Sequence, residues 1–394
     1  MELTRTIHPV GQGGFYSETL RENGKEVNVV YDCGGNNQTF MRSYLKGFIK
    51  PKMDIDIVFL SHFHRDHING VTCLLKKANV KYLVIPQITK DIAIESFVYN
   101  FHRTGLLDNE IGDFILDIYD HEYYNGSHVI QILPDDDCRK DTIPIENQQI
   151  KEELLELSIV SIRDGTKKKV SKEMDAGTSF LFDKWFYIPY NPPLIPKKVG
   201  LGFYDSFKNK FNGGKDFELS ELKDIIKKNN SKCKGFYDEY YKLNDFNHSS
   251  MLVFSGVTNP VIEKTLQKKQ RCNKNCNNRI CNYVGHLVNP NFLYTGDFDF
   301  NIQYDGKTGF ELVKHYYKLF YSTLQAIQVP HHGAFSNQVA ELYNGLKRGV
   351  VSYGEGNKYN HPHYKTVDLI LKSNCHLTRV TEQGCTKCER RYVI

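Results

Sequence analysis

The chain has 394 residues, 40% of them hydrophobic, which is enough to bury a large core. No run approaches the roughly 18 consecutive apolar residues of a membrane span, and the charged first residues MELTRTIHPV differ from an apolar signal region. The formal net charge of +5 is modest for this length and does not by itself require a nucleic-acid partner. We therefore expect a cytoplasmic protein without a membrane span.

Strands and helices alternate or pair along the chain. The first predicted strand is VNVVYDCGG (27–35), an apolar β-branched run that ends in a turn, and DIDIVFL repeats this pattern up to Leu60. Further strands are predicted at 81–86, 128–133, 179–189, 250–256, 291–297, 326–333 and 348–356. Helices are predicted at 40–49, 91–104, 147–157, 217–229 and 310–323, and a further helix opens at VTCLLKKA. The order of elements predicts an α/β fold.

The segment between about residues 135 and 247 gives a weaker signal. It contains the polar or proline-interrupted stretches DDDCRKD, TKKKVSK, NPPLIPKK and KKNNSKCK, and one amphipathic helix, FELSELKDIIKK. We interpret it as a helical or irregular insertion within a single domain of residues 1–394.

The most informative stretch is SHFHRDHING (61–70), which directly follows an apolar strand. His62 and His64 lie two residues apart, so they project to the same side of an extended strand end, and Asp66 and His67 follow on a turn. Imidazole and carboxylate groups suit zinc, or manganese and iron as substitutes, and the loop can serve two ions. The alternative is a surface loop that binds metal adventitiously, but four ligands at this spacing after a buried strand argue against it.

One loop cannot complete two metal sites, so other ligands must come from later strand ends. The candidates next to predicted strands are His248, Asp297, the pair His331 and His332, and His361. Two ions about 3.5–4 Å apart can hold the attacking and leaving oxygens of a displacement, with a metal-activated hydroxide as nucleophile. The pattern predicts a hydrolase with a dinuclear metal site.

These motifs resemble the metallo-β-lactamase fold. HFHRDH is similar to the HxHxDH signature of that family, and the motifs as a set resemble its ComEC-type branch, the hydrolase domain of bacterial competence channels and related phosphodiesterases. The matching stretches are VGQGGF (10–15), YDCGG (31–35), SHFHRDHING (61–70), NHSSMLVF (247–254), LYTGD (293–297), VPHHGAFS (329–336) and GNKYNHPH (356–363). The chain lacks the membrane channel of ComEC proteins, so DNA uptake is not implied.

The resemblance implies a metallo-β-lactamase αβ/βα four-layer sandwich with two divalent ions, zinc or manganese, at one edge. By position, His62 and His64 would hold the first ion, and Asp66 and His67 would hold the second. Asp297 would bridge the two ions.

The resemblance also assigns roles to the remaining candidates. His332 would be the last ligand, with His361 as its competitor, and His331 would contact phosphate or protonate a leaving group. We expect the two adjacent histidines not to bind the same ion, because neighbouring residues at a strand end point to opposite sides. His248 stands where ComEC-type proteins usually have Asn and is a further candidate ligand of the first ion. Asp32 would orient the metal loop without binding metal.

A cysteine-rich loop, about residues 268–288, lies between two predicted strands. Cys272, Cys276, Cys281 and His286 could form a structural zinc site, and unpaired thiols are an equal alternative. The roles of Cys375, Cys385 and Cys388 stay open.

Lysine-rich runs occur at 166–172, 208–215, 227–234 and 267–271. The aromatic residues near them are Trp185, Phe186, Tyr187, Phe236, Tyr237, Tyr240 and Tyr241. Together they could follow a phosphate backbone and stack on bases, although Lys, Asn, Tyr and Phe are common throughout the chain.

Several functions fit these observations. The favoured hypothesis is a metal-dependent phosphodiesterase that acts on nucleic acid, in which Asp66 and Asp297 hold the metal geometry and His331 assists the leaving oxygen. The alternatives are a hydrolase of a small phosphodiester or nucleotide signal, and a non-catalytic binding module with structural metals. Lactam hydrolysis is the least favoured, because such enzymes are usually exported.

Overall fold

The computed structural model describes residues 1–107, 110–135, 157–193, 202–243, 250–257, 264–266 and 290–394. These residues form two large β-sheets that pack face to face, with helices on their outer sides. Within the described part of the chain, no helix has both the length and the apolar character needed to cross a bilayer.

The strands are mostly short and end near polar loops. In chain order they are β1 (Glu2–Ile7), β2 (Phe15–Glu22), β3 (Lys25–Cys33), β4 (Asp54–Phe59), β5 (Asn79–Pro86), β6 (Tyr123–Tyr124), β7 (Ser127–Ile132), β8 (Ser158–Ser161), β9 (Glu173–Met174), β10 (Thr178–Phe182), β11 (Trp185–Tyr190), β12 (Leu252–Gly256), β13 (Lys264–Leu266), β14 (Phe292–Tyr294), β15 (Gln303–Tyr304), β16 (Lys307–Thr308), β17 (Ala326–Gln328), β18 (Arg348–Ser352), β19 (His376–Val380) and β20 (Cys388–Val393).

Each of the two large sheets contains a group of parallel strands. The first has the order β13-β20-β1-β2-β3-β4-β5-β7-β6, with β9 beside β7, and the second has the order β19-β18-β17-β14-β12-β11-β10-β8. Strands β3, β4, β5 and β7 run parallel in the first sheet, and β14, β17, β18 and β19 run parallel in the second. Parallel strands gather their carboxyl ends at one edge, which is where ligands bind in α/β sheets.

The helices connect and cover these strands. They are α1 (Gln38–Phe48), α2 (Arg65–Ile68), α3 (Val71–Lys77), α4 (Lys90–Thr104), α5 (Glu110–Asp120), α6 (Phe203–Phe211), α7 (Leu222–Lys228), α8 (Asn230–Leu243), α9 (Gly309–Tyr316), α10 (Lys318–Tyr321) and α11 (Tyr364–Lys372). Helix α4 begins after Thr89, whose hydroxyl accepts the backbone N–H of Ile92, and ends at Gly105 in the left-handed region. These caps fix the two ends of a helix that borders the candidate site.

Three hydrophobic cores separate four layers. The central core joins side chains of the two sheets, such as Tyr31, Val84 and Phe180. A second core lies between the first sheet and α1 and α3–α8, and a third lies between the second sheet and α9–α11. The order helix, sheet, sheet, helix confirms the αβ/βα four-layer fold predicted above.

Some elements differ from the prediction. Residues 179–189, predicted as one strand, form the hairpin β10–β11, with Asp183 in the left-handed region at its turn. Helix α5 was not predicted, because its isoleucines and Gly112 have modest or low helix propensity. Burial of Ile111, Phe114 and Ile115 against the first sheet outweighs that preference.

The segment 135–247 contributes to both sheets in the part that is described. Strands β8, β10 and β11 extend the second sheet, β9 pairs with β7, and α6–α8 pack in the core of the first sheet. Its interpretation as an insertion stays a prediction. Most of the predicted helix 147–157 and the cysteine-rich loop 268–288 lie outside the described residues.

Candidate metal centre

Side chains from both sheets meet where the parallel strands end. Asp32 lies on β3, His62 follows β4, Asp297 follows β14, and His331 and His332 follow β17. The N–H of Met251, beside β12, donates to the carbonyl oxygen of Ser61 at 2.8 Å and ties the two sheets together at this edge. Residues that are far apart in the sequence therefore form a single cluster.

One group of candidate ligands consists of His62, His67 and Asp297, all buried. Nε2 of His67 lies 3.1 Å from Oδ1 of Asp297, and Nε2 of His62 lies 3.6 Å from Oδ2 of the same carboxylate. A second group consists of Asp66, His67 and His332, in which Nε2 of His332 lies 3.3 Å from Oδ2 of Asp66. Both groups have the donor types that zinc and manganese accept.

Four buried atoms in this cluster make no hydrogen bond among the described residues. They are Nε2 of His62, His67 and His332 and Oδ1 of Asp297. A buried polar atom without a partner is costly, and here four such atoms converge in one place. The residues therefore fit a divalent cation, which would satisfy all four atoms.

The other ring nitrogen of each histidine is anchored, which fixes the tautomer that a metal ligand needs. Nδ1–H of His67 donates to Oδ2 of Asp32 at 2.7 Å, and Nδ1–H of His332 donates to the carbonyl oxygen of Ser352 at 2.9 Å. The Ser61 hydroxyl donates to Asp32 at 2.8 Å, so its oxygen accepts Nδ1–H of His62 at 2.9 Å. A neutral ring held in this way would present the lone pair of Nε2 to a metal ion.

In the cluster, each carboxylate stabilises the protonated form of the neighbouring imidazoles, and each imidazolium stabilises the ionised form of the carboxylates. Burial alone would lower the pKa of His67, but Asp297 and Asp32 raise it well above its ordinary value. Burial likewise opposes protonation of His332, and Asp297 and Asp66 raise its pKa. Burial would raise the pKa of Asp297, but the three nearby imidazoles, led by His67, hold it well below the usual range. A metal ion that replaced the imidazole protons would meet the same carboxylates.

Two glycines leave room for the backbone of the metal loop. A Cβ atom on Gly34 or on Gly13 would overlap the carbonyl oxygen of Asp66. The N–H of Gly14 donates to that same oxygen at 3.3 Å. The glycines of VGQGGF and YDCGG thus hold the loop that carries the candidate ligands.

Gly34→Ala is expected to displace this loop, because the added methyl group meets rigid backbone instead of a flexible side chain. We expect a loss of stability of about 1–3 kcal/mol, typical of overpacking, and a lower metal content. Thermal unfolding and metal analysis measure the two effects. The matched control is Gly47→Ala in α1, where the new methyl group meets nothing within 4 Å. Equal behaviour of the two variants would contradict the role given to Gly34.

His331 and His332 both face Asp297, contrary to the expectation that they point to opposite sides. They lie in a 3-10 turn, Pro330–Gly333, in which both have left-handed backbone angles, with φ of 48° and 52°. Strand alternation does not apply there, so the predicted opposite orientation is wrong, and the expectation that the two histidines do not bind the same ion stays a prediction. Nε2 of His331 lies 3.7 Å from Oδ2 of Asp297, and Nε2 of His332 lies 3.7 Å from Oδ1.

His64 and His361 line the same cleft but belong to neither compact ligand group of the described residues. The ring of His64 lies 4.5 Å from that of His62, and the ring of His361 lies 5.6 Å from that of His331. Burial lowers the pKa of His64 and lowers that of His361 to about 4, so both rings are neutral at pH 7. His248 lies outside the described residues, as do Cys272, Cys276, Cys281 and His286.

Asp66, Asp297 and His332 form the floor of an open cleft of about 330 Å³, which His62 and His67 do not line. Its lining residues are Gln12, His64, Asp66, Tyr99, His102, Arg103, Tyr237, Asp238, Asp297, His331, His332, Tyr359 and His361. The walls come from α4, α8 and the loop after β18. Tyr99 and Arg103 lie outside the motifs quoted above. Tyr359 lies in GNKYNHPH (356–363), where the sequence drew attention to His361 and not to the tyrosine.

The aromatic residues predicted to stack on bases are mostly core residues. Trp185, Phe186 and Tyr187 lie in β11, and Phe236 and Tyr240 in α8, each at most 6% exposed. Tyr237 is 7% exposed and lines the cleft, and the side chain of Tyr241 is outside the described set. The predicted role of these aromatic residues as a base-stacking surface is therefore wrong for the five buried ones.

Comparison with known proteins agrees with the fold. A model of the Metallo-beta-lactamase superfamily matches residues 20–135, which include the histidine loop. None of the curated proteins matches the chain. Among solved structures, the chain is similar to unliganded PDE1 of yeast, with a TM-score of 0.42 and 10% identity over 100% of both chains. It is also similar to a long form of RNase Z from yeast, with a TM-score of 0.27 and 9% identity over 96% of this chain and 37% of that chain.

Proposed function

We propose that this chain is a metal-dependent phosphodiesterase that acts on nucleic acid. The observation that carries the proposal is the convergence of four buried ligand atoms without a hydrogen bond among the described residues, two of which, on Asp297 and His332, belong to residues that line an open cleft. Divalent ions held there would supply a nucleophile at neutral pH and stabilise the negative charge that develops on a phosphoryl group. The superfamily match over residues 20–135 supports a hydrolase of this type.

The ligand set follows from the way Asp297 faces its neighbours. Its Oδ1 is directed to His67 and His332, and its Oδ2 is directed to His62. One ion would be held by Asp66, His67 and His332, and the other by His62 and His64, with Asp297 shared between them. Zinc and manganese both suit this donor set. His248 and His361 are the remaining candidate ligands in this proposal.

His331 is suited to act on the leaving group. Its Nδ1–H donates to the side-chain oxygen of Asn337 at 3.1 Å, which fixes the ring and turns Nε2 toward Asp297. The side chain is 22% exposed, so a substrate oxygen in the cleft can reach it. A protonated Nε2 can then donate its proton to the departing oxygen as a general acid.

Asp66 and Asp32 have different parts in the proposal. Asp66 is 30% exposed and contacts His332, so it can touch both an ion and the space above it. Asp32 is fully buried and accepts hydrogen bonds from the N–H and hydroxyl of Ser61 and from His67. It therefore holds His67 in place and does not contact substrate.

The proposal is tested by loading the purified protein with zinc or manganese and offering a set of phosphodiesters. The set contains single- and double-stranded DNA and RNA, cyclic nucleotides and bis(p-nitrophenyl) phosphate. We expect hydrolysis of nucleic acid and the loss of nearly all of it, with at least one equivalent of metal, in the double variant His62→Ala, His64→Ala. Circular dichroism verifies that the variant is folded.

The other outcomes are informative. Hydrolysis confined to cyclic or other small nucleotides would indicate that the protein is a hydrolase of small phosphodiesters and not a nuclease. Unchanged metal content and turnover in the double variant would contradict the dinuclear site. The same motifs support the ComEC-type branch as part of this proposal, since residues from all seven matching stretches lie around the cleft or hold its loop.

A further inference from the structure

Arg103 is a cation at the cleft that the proposed reaction leaves without a role. It lies in the last turn of α4, and its side chain is exposed. Nη2 lies 3.4 Å from the hydroxyl oxygen of Tyr359, and Cζ lies 5.5 Å from the ring centre of Tyr99. In the part of the chain that the structure describes, no carboxylate forms an ion pair with it, whereas Arg42 and Arg163 each pair with one.

Position at a helix end accounts for only part of this arrangement. A cation in the last turn interacts favourably with the carbonyl end of a helix. That effect does not require the side chain to lean over Tyr99, one turn earlier, and to reach a different loop. The guanidinium is instead held across the wall of the cleft with its donors available to an anion.

The surroundings place Arg103 at the mouth of the cleft and not at its floor. Its partner Tyr359 is 47% exposed, whereas the unpaired ligand atoms of the floor are buried. The ring of Tyr99 lies between the mouth of the cleft and its deeper part, because it is also 5.1 Å from the ring of His64. An anion bound by Arg103 would therefore be a neighbour of the group that reaches the metal ligands.

The side chain of Asn357 helps to hold the loop that carries Tyr359. Nδ2 of Asn357 donates to the carbonyl oxygens of Gly354 and His361, and its Oδ1 accepts the N–H of His361. One ring contact of Tyr359 is with His361, at 5.7 Å, and Nζ of Lys358 lies 5.1 Å from its centre. The exposed ring is thus presented by an ordered loop beside a second cation.

We propose that Arg103 and Tyr359 form a subsite for the nucleotide next to the scissile phosphate. The guanidinium binds the phosphate of that nucleotide, a geometry to which its planar fork of donors is suited, and the ring of Tyr359 stacks on the base. The subsite rests on the proposed function and specifies its substrate as a short single strand with at least two phosphates. Asp238 also lines the cleft, but its carboxylate lies 3.4 Å from Nε2 of His102.

Binding is measured first, by fluorescence anisotropy of a labelled phosphorothioate oligothymidylate with the zinc-loaded protein. Arg103→Gln should weaken binding at least 10-fold and reduce the salt slope by about 0.7, the value for one phosphate contact on a single strand. Tyr359→Ala should weaken binding by roughly 5- to 100-fold, the range for loss of one stacked base, and Tyr359→Phe should not. The matched control is Arg21→Gln, an exposed arginine on β2 paired with Glu26.

Turnover then identifies which phosphate Arg103 contacts. The dinucleotide TpT has only the scissile phosphate, whereas pTpT and TpTp each carry one more. We expect wild-type kcat/KM to be higher for one of the longer substrates than for TpT, and this advantage to shrink at least 10-fold in Arg103→Gln and to persist in Arg21→Gln.

Three results would overturn the subsite. The first is equal binding by the Arg103→Gln and Arg21→Gln variants, and the second is no advantage of either longer dinucleotide over TpT. The third is an equal loss of kcat/KM by Arg103→Gln on all three substrates, which would indicate that Arg103 contacts the scissile phosphate. If the wild-type protein hydrolyses no phosphodiester, the proposed function fails on its own, and the anisotropy titration still decides whether the subsite exists.

Discussion

Asp297→Asn is expected to remove at least one equivalent of metal and to lower turnover by more than about 100-fold, beyond the usual effect of losing a residue that only orients a ligand. The two carboxylate oxygens face different imidazoles, with Oδ1 3.1 Å from His67 and Oδ2 3.6 Å from His62. Asparagine keeps the shape but replaces one acceptor by a donor and removes the charge. Metal analysis and hydrolysis of bis(p-nitrophenyl) phosphate measure the two effects.

The matched control for this prediction is Asp32→Asn. Asp32 has a left-handed backbone, with φ of 54°, which asparagine tolerates, so the substitution tests the carboxylate and not the turn. We expect a loss of roughly 10–100-fold, because the substitution affects only the orientation of His67 and, through Ser61, of His62. Equal losses in the two variants, or a worse Asp32 variant, would contradict the separation of roles.

The fold was predictable where hydrophobic runs and turns agree. VNVVYDC and DIDIVF are strands rich in Val and Ile that end at glycine or histidine loops, and they are parallel neighbours in the first sheet. Helices α8 and α11 were missed, since their identity depends on packing against distant elements as well as on local propensity. Strand β19, HLTRV, is half exposed at the edge of its sheet and carries no apolar run.

The clustering of the candidate ligands was predictable because these residues sit in short motifs at strand ends. Asp297 follows FLYTG and the two histidines follow AIQVP, so the parallel sheet brings them to the same edge as the loop 61–70. The walls were not predictable in the same way. Arg103 and Tyr359 are 256 residues apart and meet only because α4 and the loop after β18 border one cleft.

The largest error has a related cause. Composition identified aromatic residues near lysine runs, but it cannot distinguish a buried ring from an exposed one. In β11 every residue is buried between the layers, since the strand lies inside the second sheet. Tyr359 is an exposed aromatic residue that borders the cleft, and it lies in a histidine-rich motif outside the lysine-rich runs.

The two histidines of VPHHGAFS should respond differently to substitution. His332→Ala is expected to lower metal content, because Nε2 of His332 is buried, unpaired and 3.3 Å from Asp66. His331→Ala is expected to keep both ions and to lose turnover by roughly 10²–10⁴-fold, typical of a general acid. Metal analysis of the two purified variants and their kcat on an oligonucleotide give the comparison.

The acid role of His331 has an independent readout in the leaving group. p-Nitrophenolate departs without protonation, so a p-nitrophenyl ester should largely restore the turnover of His331→Ala and should not restore that of His332→Ala. Loss of metal in His331→Ala with retention in His332→Ala would reverse the assignment. Unchanged metal content in both variants would indicate that His361 is the last ligand. Nδ1 of His361 is also buried without a hydrogen-bond partner among the described residues. Because His331 and His332 face different oxygens of the same carboxylate, only paired variants of this kind can separate a ligand from an acid at this site.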